Sequence, residues 1–118
     1  MEYSLINAKV FNLIMEGTPV EDKKNNVTVT NELIFHSERS SELFVKSIVE
    51  ANLSSGMNMK FNYVFYFQFK GEHSEKEIEE QFEEALLVSI TYPYVRSFVS
   101  SFSGLAGYES VNLPMVIF

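Results

Sequence analysis

The segment MNMKFNYVFYFQFK, residues 57–70, carries the clearest structural signal in the chain. Every odd-numbered residue in this segment is apolar: Met57, Met59, Phe61, Tyr63, Phe65, Phe67 and Phe69. The other parity is polar except at Val64 and Tyr66. A repeat of two residues is typical of a β-strand that buries one face. We therefore predict a long strand here, with its aromatic side against a core.

Two further strands are predicted immediately upstream of this one. Residues 43–54 place apolar side chains on one face, and the short polar break Ser54-Ser55-Gly56 is typical of a hairpin turn into the next strand. Residues 27–36 alternate in the same way, and the polar residues 37–42 turn the chain back. The three strands are predicted to pair antiparallel in one sheet.

The first predicted strand, residues 5–16, differs because both of its parities carry apolar residues. Such a strand is either covered on both faces or exposes an apolar patch. Residues 17–26 form a connection that is long enough to cross over the sheet, so this connection need not be a tight hairpin. The length of this connection therefore leaves both a crossover and a longer hairpin open.

A helix is predicted to follow the sheet. Ser74 and Glu77 form a capping box, in which each side chain accepts a hydrogen bond from the other residue's backbone amide. Apolar residues then recur at helical spacing. Pro93 lacks an amide hydrogen and clashes with the preceding turn, so the helix is predicted to kink or break near residues 90–92. Gly104 and Gly107 favour the end of the helix.

The last quarter of the chain resembles the C-terminal half of SecB, the bacterial export chaperone. The similarity lies in the run Tyr92-Pro93-Tyr94-Val95-Arg96, in Gly104 and in the apolar segment VNLPMVIF of residues 111–118. Upstream, it lies in the order and length of the strands. The resemblance implies a crossover fold and a protein that binds unfolded polypeptides without catalysis. Its clients would be preproteins for export or a dedicated partner such as an antitoxin.

The same resemblance implies a docking site for the export motor SecA. Asn12 and Glu16 fall where the family carries acidic residues, so one carboxylate is retained and one is replaced by an amide. The fourth strand offers Asn62 and Val64 in place of an apolar–acidic pair. The family continues past the Asn-Leu-x-Pro segment into a further helix and an acidic tail, whereas this sequence stops at Phe118. We therefore expect SecA to be a weak partner.

The composition narrows the classes of function. A chain of 118 residues with 46% hydrophobic content fits one domain spanning residues 1–118. Eleven Phe and six Tyr are a heavy aromatic load at this size, which predicts self-association to a dimer or tetramer. A net charge of −7 argues against a nucleic-acid partner. With no long apolar run and no signal peptide, we expect a cytoplasmic protein that does not insert into membranes.

No catalytic or metal-binding pattern is recognisable. The chain has no cysteine, and His36 and His73 are far apart in sequence, outside any known ligand spacing. Gly104 and Gly107 follow a helix, whereas phosphate-binding loops precede one. The serines near residue 100 lack an adjacent base. We therefore predict a protein that is not an enzyme and needs no cofactor or metal.

The candidate client-binding residues are Ile14, Val64, Tyr66, Tyr92 and Tyr94. Ile14, Val64 and Tyr66 are apolar positions on an otherwise polar sheet face, as in a contact patch. Tyr92 and Tyr94 flank the predicted helix break, where irregular backbone keeps side chains near solvent.

The aromatic residues further along the helix leave two interpretations open. Phe98 and Phe102 have the spacing of core residues, but they could also form a groove wall. We predict an α+β fold with a four-stranded antiparallel sheet, a crossover loop and a kinked C-terminal helix packed on one face. The alternatives to a chaperone are a small-molecule carrier with an aromatic-lined pocket and a structural oligomer subunit. A helix packed flat on Phe61, Phe65 and their neighbours would favour the chaperone over the carrier.

Overall fold

The predicted α+β architecture is confirmed. A computed structural model describes residues 1–17, 25–54 and 56–108 of the chain. Their elements follow the order β1 (Tyr3–Gly17), β2 (Asn26–Ile34), β3 (Arg39–Asn52), β4 (Met57–Ser74), α1 (Glu75–Gln81) and α2 (Glu84–Leu105). The apolar segment of residues 111–118 lies outside the described residues.

The strands form one antiparallel sheet in the order β1-β4-β3-β2. β1 and β2 therefore lie at opposite edges, and the chain between them passes from one edge to the other, as predicted. Residues 18–24 of that connection lie outside the described residues. β3 and β4 form the predicted hairpin, in which the Leu53 amide donates to the Met57 carbonyl at 2.9 Å.

The two helices cover one face of the sheet, which we call the covered face; the opposite one is the open face. The covered face carries the aromatic parity of β4 and matching residues of β3, because alternate side chains of a strand point to the same side. Its fully buried side chains include Leu43, Val45, Val49, Met57, Met59, Phe65 and Phe67. Ile78 and Phe82 pack on one end of this face, and Val95 and Val99 pack on the other.

The break between the helices lies at Phe82 and Glu83, so the prediction of a break near residues 90–92 is wrong. Pro93 lies inside the continuous helix α2 and is exposed. Phe82 ends α1 because its ring is buried, with its centroid 4.9 Å from that of Tyr3 and 5.4 Å from that of Phe67. Burial of the residues before and after Pro93 on the same helix face keeps α2 intact, and tertiary packing thus overrides the local cost of proline.

β1 is interrupted twice along its pairing with β4. The register shifts between Leu5 and Asn7 and again between Phe11 and Ile14, and Asn12 in the second shift has a φ of 54°. Bulges of this kind turn side chains away from the regular alternation. β1 consequently exposes several large apolar side chains: Ile6, Phe11, Leu13, Ile14 and Met15. Of the two alternatives for this strand, the exposed apolar patch is the one observed.

Candidate functional site

Val64 and Tyr66 lie half-buried on the open face. The Tyr66 ring stacks on Phe44, with centroids 4.8 Å apart. Its hydroxyl donates to Glu42 Oε2 at 2.8 Å and accepts from Gln68 Nε2 at 3.0 Å. Tyr66 is therefore held by neighbours of its own sheet on both its ring and its hydroxyl.

Ile14 lies on the same open face but in a different row. It is 58% exposed and pairs in register with Lys60, whose ammonium lies 3.8 Å from the Glu50 carboxylate. Val64 pairs with Lys9 on one side and Lys46 on the other. Lysines thus flank Val64 on both sides and Ile14 on one side, whereas Val64 and Tyr66 follow one another on the same face of β4.

Tyr92 is only 3% exposed, so the expectation that it lies near solvent is wrong. The helix does not break beside it, and its side chain falls on the buried face of α2 with Val95 and Val99. Burial raises the pKa of the Tyr92 hydroxyl above its usual range, and the nearby Arg96 partly offsets this. Tyr92 is therefore a core residue of the chain.

Tyr94 lies on the helix side of the sheet and is 41% exposed. Its ring centroid is 6.1 Å from that of Tyr63 and 5.4 Å from that of Phe65, both in edge-on geometry. Burial raises the pKa of the Tyr63 hydroxyl, and Tyr94 beside it adds to the shift. The expectation of a partly exposed tyrosine at this position is confirmed.

Phe98 and Phe102 continue from Tyr94 along one flank of α2 at a spacing of one helical turn. Phe98 lies 6.1 Å from Tyr63 and 5.6 Å from Phe102 between ring centroids. Both phenylalanines are half-buried. Each therefore has features of a core residue and of a groove wall, the two interpretations left open for them. We call Tyr63, Tyr94, Phe98 and Phe102 the aromatic stripe. Its rings pack on the core with one side and reach solvent with the other.

The sequence did not identify Tyr63, Phe44 or Phe11 as partly exposed residues of the aromatic stripe or the open face. Alternation places Tyr63 on the buried aromatic side of β4, because it predicts the face of a strand but not where the covering helix ends. Phe44 is an apolar residue among the polar alternate positions of β3, as Val64 is in β4. The sequence therefore contained a signal that could have placed Phe44 on the open face. The exposure of Phe11 follows from the bulge in β1, which alternation does not predict.

The geometry of the covered face bears on the carrier alternative. Phe65 and Phe67 are fully buried, and Phe61 is 2% exposed, because the helices pack directly on them. Two open depressions, of about 610 and 710 Å³, are lined by other residues, at the chain start with the end of β4 and beside α1. The helices thus pack flat on these rings, which is the arrangement that speaks against a carrier with an aromatic-lined pocket.

The two residues predicted to dock the motor lie on the edge strand β1. Asn12 occupies the second bulge, and Glu16 pairs in register with Asn58 at the far end of the strand. Both side chains are exposed. Their role in docking SecA stays a prediction.

The neighbours of the two histidines are not the clustered side-chain ligands of a metal site. His73 Nδ1 lies 3.4 Å from Glu77 Oε2, and its Nε2 lies 3.2 Å from the Lys70 carbonyl oxygen. The His36 ring packs edge-on against Phe44. Within residues 1–17, 25–54 and 56–108, no group of three His, Cys, Asp or Glu side chains could hold a metal ion. None of the helices in these ranges has the length and apolar character needed to cross a membrane.

No protein-family model matches this chain, and no curated protein matches it by sequence. Among solved structures, it is similar to the Mycobacterium tuberculosis SecB-like chaperone Rv1957 in complex with a ChAD peptide from the Rv1956 HigA1 antitoxin. The TM-score is 0.79 at 11% sequence identity, and the match covers 98% of this chain and 88% of that chain. At so low an identity the likeness concerns the fold alone: this chain has the same α+β fold as that protein.

Proposed function

We propose that this chain is a non-catalytic molecular chaperone that binds unfolded or partly folded polypeptides through its aromatic stripe. The observation that carries the proposal is a half-exposed row of aromatic rings on a SecB-like fold. The similar solved structure is a chaperone with a bound peptide, which supports a polypeptide as the ligand class.

The aromatic stripe suits this task better than the open face. Aromatic side chains offer large contact areas at a low cost in conformational entropy, and edge-to-face contacts among Tyr63, Tyr94 and Phe98 hold the rings in place. On the open face, lysines flank Val64 and Ile14, and burying them under an apolar client would remove charge from water. We therefore assign client capture to Tyr94 and its neighbours, with Ile14, Val64 and Tyr66 as secondary contacts.

The proposal includes self-association to a dimer or tetramer. A second copy of the chain would remove from water the large apolar residues that β1 exposes. Clients would be export preproteins or a dedicated partner such as an antitoxin. SecA is expected to bind weakly, because rim carboxylates mainly set the association rate and Asn12 supplies none.

The test compares Tyr94→Asp with Ser97→Asp, which places the same charge on an exposed position of the same helix. Binding of a fluorescently labelled, permanently unfolded model polypeptide is measured by anisotropy, with melting temperature and light scattering on the same samples. Tyr94→Asp is expected to weaken binding about tenfold or more, the size typical of a central aromatic contact. Ser97→Asp should bind as the wild type does.

Equal binding by all three proteins would contradict the assignment to the aromatic stripe, and Ile14→Asp then tests the open face. A wild-type protein that captures no unfolded polypeptide would contradict chaperone function and favour a structural subunit. The earlier candidate Tyr92 is unsuitable for this test, because a charge at a core position would unfold the protein.

A further inference from the structure

A row of polar side chains crosses the middle of the covered face. Asn31 of β2 pairs in register with Ser47 of β3, and Ser47 pairs with Tyr63 of β4. Thr91 of α2 lies above this row, with its hydroxyl 3.5 Å from Asn31 Oδ1. Ser47 and Thr91 are fully buried. We call Asn31, Ser47 and Thr91 the polar row.

The polar row separates the two apolar clusters of the core. On β3, Val45 belongs to the cluster that includes α1, and Val49 belongs to the other. On α2, Leu87 and Val95 belong to these same two clusters. Thr91 stands midway between them, about one helical turn from each. The polar position in the helix therefore coincides with the polar position in the sheet.

The hydrogen bonding of the row is incomplete. Ser47 Oγ donates to Asn31 Oδ1 at 2.5 Å, and the Thr91 hydroxyl donates to the same oxygen. The Asn31 Nδ2 group is buried and has no hydrogen-bond partner among the described residues. A buried hydrogen bond contributes little net stability, whereas a buried donor without a partner costs at least as much. The row is therefore no more stabilising than apolar side chains of similar volume would be.

We propose that the polar row sets the register of α2 on the sheet at no gain in stability. If α2 moved along its axis by one turn, Thr91 would enter an apolar cluster and Leu87 or Val95 would lie against Asn31 and Ser47. Each such move separates buried polar groups from their partners, which is how a buried polar residue specifies one arrangement among several apolar ones.

The same register positions the aromatic stripe. Tyr63 lies next to Ser47 across the sheet, although it is not part of the polar row. Its ring contacts Tyr94, which follows Thr91 by three residues on α2. Asn31, Ser47 and Thr91 are thus positioning residues for the exposed rings. For its binding readout, this inference rests on the proposed function.

The test replaces the polar row by apolar side chains in the variant Asn31→Val/Ser47→Ala/Thr91→Val. The melting temperature is expected to be unchanged or higher. With fluorotyrosine incorporated, the Tyr94 resonance, assigned through Tyr94→Phe, should change from a single line to several lines or a broadened one. Capture of the unfolded model polypeptide should weaken roughly three- to tenfold, as for loss of a coupled positioning group.

A composition-matched variant, Thr91→Val/Val95→Thr, moves the helix hydroxyl by one turn and is expected to melt below Thr91→Val alone. A single unshifted Tyr94 resonance in the apolar variant, with client affinity as in the wild type, would overturn the inference. If the apolar variant melts well below the wild type, the row stabilises the fold and the inference is also overturned. The resonance and melting tests hold even if the wild type captures no client, a result that contradicts the proposed function alone.

Discussion

The covered and open faces of the sheet use similar residues for different purposes. Phe65 and Tyr66 are neighbours in β4, yet Phe65 is fully buried beneath α2 while Tyr66 is half-buried and neither of the described helices lies above it. On the open face, Phe44, Glu42 and Gln68 occupy the Tyr66 ring and hydroxyl. Aromatic content alone therefore does not mark a binding surface. Rings become available where the covering helix leaves one side of them exposed, as at Tyr94.

The sharpest test of this difference substitutes the two neighbouring residues of β4. Phe65→Ala should destabilise the protein by about 3–5 kcal/mol, because it leaves a cavity in the core. Tyr66→Ala should cost only about 1–2 kcal/mol, from one stacked ring pair and the hydrogen bonds of one hydroxyl. Urea unfolding followed by circular dichroism measures both. Similar losses for the two variants would mean that a partner or a second copy covers the open face.

A smaller effect is expected in the helix that creates the covered face. Pro93 is exposed within α2 and lacks the amide that would bond to the Ser89 carbonyl. Pro93→Ala should therefore stabilise the protein by about 1–2 kcal/mol, after allowing for the greater freedom of the unfolded chain. Ser97→Ala, at another exposed position of α2, controls for helix propensity. A loss of stability in Pro93→Ala would show that α2 depends on a bend at this residue.

The smallest effect concerns the start of α1, at one end of the covered face. The Glu77 carboxylate accepts hydrogen bonds from the Ser74 amide, from His73 and from the Ser74 hydroxyl. These bonds, with that of the Ser74 amide as the largest contribution, hold the pKa of the Glu77 carboxyl below its usual value. A lowered pKa means that the carboxylate contributes stability above the unfolded-state pKa of about 4.5, and that this contribution is lost as the pH falls through the folded-state pKa.

The difference in melting temperature between wild type and Glu77→Gln should therefore be largest near neutral pH and shrink towards about pH 3. Glu79→Gln, an exposed change in the same helix outside the capping box, is the control. A difference that stays constant across this range would show that the Glu77 charge does not stabilise α1.

Features that depend on neighbouring residues in the chain were predictable from the sequence. The strands follow from alternation, and the start of α1 follows from Ser74 and Glu77, whose reciprocal hydrogen bonds are present. The break in the helices was not predictable, because it depends on a pocket for Phe82 built by Tyr3, Phe67 and Phe69. The positive φ at Asn12 and the exposed side chains of β1 likewise depend on pairing with β4.

For the candidate site, alternation along the chain predicts which residues share a strand face and separates Val64 and Tyr66 from the core, because the period of a strand is a local property. The burial of Tyr92, the exposure of Tyr94 and the contact of Tyr63 with Phe98 at the edge of the helix follow from tertiary packing and not from any local pattern. These outcomes depend on where α2 lies over the sheet. That position depends on contacts between residues far apart in sequence, such as Phe61 with Phe98 and Tyr63 with Tyr94, which no local pattern encodes.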